Sequence, residues 1–106
     1  MLAEKDILVR KIIDKIVRSI KPDRIILFGS RAEGRNRDDS DVDLVIIYSG
    51  PLSKRQAKLR IRRLFPHPDF SLDVFILTPE EYESQKSIAN TLAREADMKG
   101  KVCYAG

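Results

Sequence analysis

Histidine and cysteine are almost missing from this 106-residue chain, with His67 and Cys103 the only examples. One cysteine excludes an internal disulfide framework and any multi-cysteine metal knuckle; one histidine excludes a histidine-rich zinc site. Tryptophan is absent. No apolar run approaches the ~20 residues needed to cross a bilayer. The N-terminal Met1-Leu2-Ala3-Glu4-Lys5-Asp6 turns charged where a signal peptide turns apolar. No membrane association and a cytoplasmic location are therefore expected. Repeats, low-complexity tracts and long linkers are missing too, so residues 1–106 are expected to form one domain.

What is present reads as a folded soluble protein: 42% hydrophobic and 34% charged residues. Lys and Arg number 20 against 16 Asp and Glu, a net +4. That excess is mild; it admits anionic partners without requiring them, and nucleic acid is not a required partner.

Apolar residues at Ile7, Leu8, Ile12, Ile13, Ile16, Val17 and Ile20 fall on one helical stripe, which Lys21-Pro22 ends. Residues 24–28 form a β-rich run closed by Gly29-Ser30. Residues 31–40 hold almost nothing that fills a core and predict a helical turn followed by a loop. A second strand is predicted over 42–48 and a helix over 52–65. A third strand over 72–77 leads into Thr78-Pro79-Glu80-Glu81, the pattern of a capping box with proline at the first helical position. A last helix is predicted over 88–98, stopped by Gly100, with a short strand at 102–104. The fold class is α/β or α+β, a small mixed sheet of about three to four strands flanked by helices.

The acids fall in an informative pattern. Asp41 and Asp43 stand two apart at the mouth of the second strand, so their carboxylates share a face, ~6.6 Å apart at the backbone. Asp73 lies within Leu72-Asp73-Val74-Phe75-Ile76-Leu77, otherwise apolar on both faces, where a carboxylate is costly without a positive neighbour. If the two strands adjoin, three carboxylates converge, and all-oxygen ligation favours Mg²⁺ or Mn²⁺. Plainer readings stand beside this one: a turn or cap role for Asp41 and Asp43, and an edge-strand charge at Asp73. Gly29-Ser30, a strand end turning into a helix, offers backbone N–H groups and a hydroxyl suited to phosphate oxygens, or an ordinary strand-ending turn. A phosphate cradle and a metal cluster on successive strands are what transfer from a nucleoside triphosphate requires.

These residues resemble a family. Phe28-Gly29-Ser30-Arg31-Ala32-Glu33-Gly34, then Ser40-Asp41-Val42-Asp43-Leu44, look like the signature of the polymerase-β-type nucleotidyltransferases: Gly-Ser, ten residues, Asp-x-Asp. The Asp of Leu72-Asp73-Val74-Phe75 fits the family's third carboxylate. The likeness covers nearly the whole chain, and its brevity points to the minimal nucleotidyltransferases, small proteins often paired as antitoxins with HEPN-domain toxins. The resemblance implies that Gly29 and Ser30 hold the β- and γ-phosphates of ATP, with Arg31 near them. It implies that Asp41, Asp43 and Asp73 ligate two Mg²⁺ ions (or Mn²⁺), and that Asp73 also helps deprotonate the acceptor. Glu33 departs from the basic residue that many relatives carry there. The implied reaction moves AMP from ATP to a hydroxyl of a partner protein, a HEPN-domain toxin. The alternatives are an antitoxin that occludes its toxin without catalysis, and transfer to a small molecule or an RNA end. The missing acceptor-binding domain points to a partner chain and to homo- or hetero-oligomers.

Six cations crowd the helix over 54–63, read either as an RNA- or phosphate-attracting face or as a solvated one. His67, between two prolines, lacks a serine-and-acid arrangement, so a hydrolase triad has little support.

Overall fold

Asp6 opens the first helix. Its side chain accepts hydrogen bonds from the backbone N–H groups of Leu8 (3.1 Å) and Val9 (3.3 Å), satisfying donors that the helix itself leaves unpaired. Helix α1 (Ile7–Ile20) ends at Lys21, whose left-handed backbone (φ 50°) caps it before Pro22. The computed structural model describes residues 6–37 and 40–106. Expectations for residues 1–5, and for Asp38 and Asp39 in the loop, lie outside the described residues.

Beyond α1 come β1 (Arg24–Phe28), β2 (Val42–Ile47), α2 (Lys54–Leu64), β3 (Leu72–Leu77), α3 (Pro79–Gln85), α4 (Leu92–Lys99) and β4 (Lys101–Ala105). The capping box at Thr78 forms as its sequence predicts: Thr78 accepts from the Glu81 backbone and Glu81 from that of Thr78. A second box, Ser53 with Gln56, opens α2. The last helix starts later than its apolar spacing suggests. Asn90 takes a left-handed conformation (φ 65°) and Thr91 caps α4, so Ile88 stands in the preceding turn, 52% exposed.

The strands form one mixed sheet in the order β3-β2-β1-β4. Strand β1 is antiparallel to β2 and β4; β2 and β3, joined through α2, are parallel, as a helical crossover allows. Alternation splits the core in two. Ile25, Leu27, Val42, Leu44, Ile46 and Val74 bury themselves against the apolar stripe of α1 and against Ala57 and Ile61 of α2. On the opposite face, Ile26, Val45 and Ile47 pack under Tyr82 of α3 and Ala93 and Ala96 of α4. That second cover is short. Asp43 is only partly buried and Phe75 is 40% exposed, so one end of this face stays open. No helix among the described residues is long and apolar enough to cross a membrane.

Candidate active site

The open end of that face is where the acids meet. In the parallel register Asp43 stands directly across from Asp73. Asp73 is close enough to hydrogen-bond a protonated Asp43 carboxyl, and the charges of Asp73 and Asp41 both raise the Asp43 pKa. Like charges directly opposite one another destabilise a sheet. A lone edge-strand charge explains Asp73, since β3 is the outer strand, but not its placement across from a second carboxylate.

Burial is the first cause that lifts the Asp43 carboxyl from 3.8 to about 6, followed by the hydrogen bond with Asp73 and the charges of Asp73 and Asp41. Such frustration is what a dication relieves. Among the described residues no group of three His, Cys, Asp or Glu is placed to hold a metal ion by itself. Magnesium does not need such a group: it keeps several waters and takes one or two carboxylates plus substrate phosphates. The donor set here, all oxygen with Asp43 and Asp73 adjacent and Asp41 exposed beside them, fits a hard divalent ion. Carboxyl ¹³C NMR is expected to show Asp43 titrating near pH 6 without metal. Magnesium should drive that midpoint lower, because the ion binds only the ionised form.

Gly29 touches the same site from β1. Phe28 pairs with Asp43 across the antiparallel ladder, which brings the next residue against the carboxylate. A Cβ at Gly29 would lie 2.5 Å from Asp43 Oδ2, and the backbone there has φ +78°. Both facts require glycine. The chain then makes a turn: Ala32 and Glu33 donate to the Gly29 carbonyl (3.1 and 3.3 Å) and Arg35 to that of Ser30 (2.9 Å). Ser30, half-buried in this turn, has no side-chain hydrogen bond among the described residues. Glu33 is exposed and its neighbour Arg35, 2.5 Å away, holds its carboxyl below the usual range.

Arg31, which the sequence resemblance sets near the phosphates, points inward. Its side chain is only 4% exposed, with Nη1 donating to Asp6 Oδ2 (2.6 Å) and Nε to the Ser40 carbonyl (3.0 Å). Asp6 also caps α1, so one guanidinium ties the helix start, the Gly-Ser turn and the residue preceding Asp41. The guanidinium is therefore inward and engaged. Arg31→Ala would remove a buried ion pair and the bond to the Ser40 carbonyl; a loss of about 3 kcal/mol in urea unfolding is expected.

Two aromatic rings, absent from the motif-based site, lie on the same face. Phe28 and Phe75 approach at 5.9 Å between centroids in tilted contact, and Phe75 shares the face of Asp73 by alternation. Beside Phe28 opens a cleft of about 590 Å³, also lined by Arg94, Met98 and Lys99 of α4. That is within the ~300–1,000 Å³ usual for small-molecule sites. The signal for Phe75 was in the sequence, two residues past Asp73; that for α4 was not, since nothing local ties it to β1.

Residues 9–102 match the model of the nucleotidyltransferase domain. The chain belongs to this family. No curated protein matches this nucleotidyltransferase. Among solved structures it is similar to a toxin–antitoxin crystallised with AMP-PNP, at 22% identity and TM-score 0.63, over 91% of this chain and 73% of that one. It is also similar to a Sulfolobus solfataricus protein assigned as a nucleotidyltransferase, at 19% identity and TM-score 0.62, over 92% and 78% of the two chains. A mutant of the toxin–antitoxin MntA-HpeT aligns at 22% identity and TM-score 0.60, over 89% and 71%. At these identities the nucleotidyltransferase shares their fold, a mixed four-stranded sheet with helices.

Proposed function

We propose that this nucleotidyltransferase moves AMP from ATP to a hydroxyl of a partner protein and serves as the antitoxin of a toxin–antitoxin pair. One observation carries the reading: Asp43 and Asp73 lie in register across parallel strands, with Gly29 pressed against Asp43.

Asp41, Asp43 and Asp73 would hold two Mg²⁺ ions, which supply charge neutralisation for the triphosphate. The chain's own groups do the rest. Backbone amides of the turn at Gly29 and the Ser30 hydroxyl bind the β- and γ-phosphate oxygens. The cleft beside Phe28 receives the remainder of the nucleotide. Asp73 takes the proton of the acceptor hydroxyl as its oxygen bonds to the α-phosphorus. The bridging α–β P–O bond breaks, and pyrophosphate leaves with the electron pair. Asp73 then returns its proton to solvent.

Two of the similar structures are toxin–antitoxins, which supports a toxin as the acceptor, and the sequence resemblance supports a HEPN-domain protein in that role. The domain is proposed to span residues 1–106 and to act in the cytoplasm.

Incubation with ATP, Mg²⁺ and the protein encoded by the adjacent gene tests this. Intact mass spectrometry is expected to show that protein gaining one or more AMP units, and no gain with Asp43→Asn. A variant that neutralises the toxin fully with no mass change would establish occlusion instead. Label found on RNA would move the acceptor to an RNA end.

A further inference from the structure

A second concavity lies on the opposite side of the sheet from the acids, where α2 meets the outer strand. It measures about 210 Å³ and is lined by Phe65, Phe70, Leu72 and Val74, with Lys58 and Arg62 at its sides. That is below the ~300–1,000 Å³ of a typical small-molecule pocket, and fits one large apolar side chain.

The charge around it is one-sided. Residues 54–72 contain six Lys and Arg, and Asp69 is their only acid. Lys54 is paired with Glu81 (2.6 Å). Arg55, Lys58, Arg60, Arg62 and Arg63 form no ion pair among the described residues. All five are exposed. Helix α2 is thus cationic along its length without internal compensation, a surface complementary to carboxylates.

An apolar anchor site with a cationic rim selects a particular ligand chemistry. We propose that the groove between α2 and the outer edge of β3 docks an acidic segment of a partner protein, which inserts one large apolar side chain between flanking carboxylates. Nucleic acid matches the charge but not the groove. Phe65 and Phe70 pack edge to face at 5.5 Å and 79°, and Lys15 sits over the Phe65 ring at 5.5 Å. These rings are engaged with protein and do not present open faces for bases to stack on. The outer edge of β3 adds main-chain donors and acceptors beside Leu72 and Val74, on which an extended segment can align. The docking surface stands whether or not the acid cluster is catalytically active.

Selection of random peptides displayed on phage against the whole protein tests this. The recovered peptides are expected to carry Phe, Leu, Ile or Met flanked by Asp and Glu. A synthetic peptide of the enriched sequence should shift the methyl resonances of Leu72 and Val74. Its Kd should weaken at least tenfold with Lys58→Glu/Arg62→Glu. Both side chains are exposed, so this double variant should melt close to the parent; Lys58→Gln/Arg62→Gln provides the same reading in milder form. Peptides without acidic enrichment, or peptides whose binding ignores the charge reversal, would overturn the proposal. So would a single-stranded RNA oligomer that binds more tightly than any peptide and is released by the same reversal.

Discussion

Asp43→Asn is expected to reduce nucleotidyl transfer by more than ~10³, about 4 kcal/mol of barrier at 1.36 per decade, while making the metal-free protein more stable at pH 8. The two effects share one cause. Burial and the neighbouring Asp73 and Asp41 raise the Asp43 pKa to about 6, so folding favours its protonated form. The sign follows from linkage: that stabilisation is complete below the unfolded value near 4 and is lost as pH rises through 6. Above pH 6 the protein carries an ionised carboxylate held against another. Asparagine removes the charge and keeps the shape. Because the group is partly solvated, the gain should be about 1 kcal/mol rather than the full shift. Urea unfolding with a chelator present measures it: the variant should exceed the parent at pH 8 and equal it below pH 4. With excess Mg²⁺ the order should reverse, since only the parent gains from the ion.

Gly29→Ala should injure both stability and transfer, and Gly34 provides the control. Both glycines have positive φ, +78° and +71°. An alanine at either meets the cost of a left-handed backbone, about 1 kcal/mol. They differ in surroundings: a Cβ at Gly29 would lie 2.5 Å from Asp43 Oδ2, whereas nothing lies within 4 Å of one at Gly34. The Gly29 variant must therefore displace the Asp43 carboxylate or open the turn. Its stability should fall by about 2 kcal/mol and its transfer rate at least hundredfold, the scale of a 1 Å misplacement of a reacting group. Gly34→Ala should lose about 1 kcal/mol and keep most of its activity. Chemical unfolding and transfer rates measured together on the pair separate the backbone effect from the carboxylate effect.

Much of this was legible in the chain because it is encoded locally. The stripe of α1, the Thr78 box and the alternation that sets Asp41 beside Asp43 each need only a few neighbouring residues. The parallel pairing of β2 with β3 follows once a helix lies between them, and it brings Asp43 across from Asp73. Long-range partners were not legible. Arg31 follows Gly29-Ser30 and reads as a phosphate ligand; nothing local announces that it also reaches Asp6, 25 positions earlier. Asp6 itself carries a local sign that is easily passed over, an acid directly before an apolar periodic run. The late start of α4 shows the opposite failure. Ile88 extends the apolar spacing, but the left-handed Asn90 and the cap at Thr91 outweigh it. The aromatic pair and the cleft under α4 depend on the packing of distant elements, and no local pattern announces them.

The central claim is that the acids beside Gly29 direct an acceptor to the α-phosphorus. Parallel reactions with ATP labelled at the α- or the γ-phosphate, each containing Mg²⁺ and the partner protein, test it most directly. The account predicts that α-label becomes covalently attached to the partner while γ-label leaves as pyrophosphate. Attachment of γ-label, or α-label transfer that persists undiminished in Asp43→Asn, would contradict it.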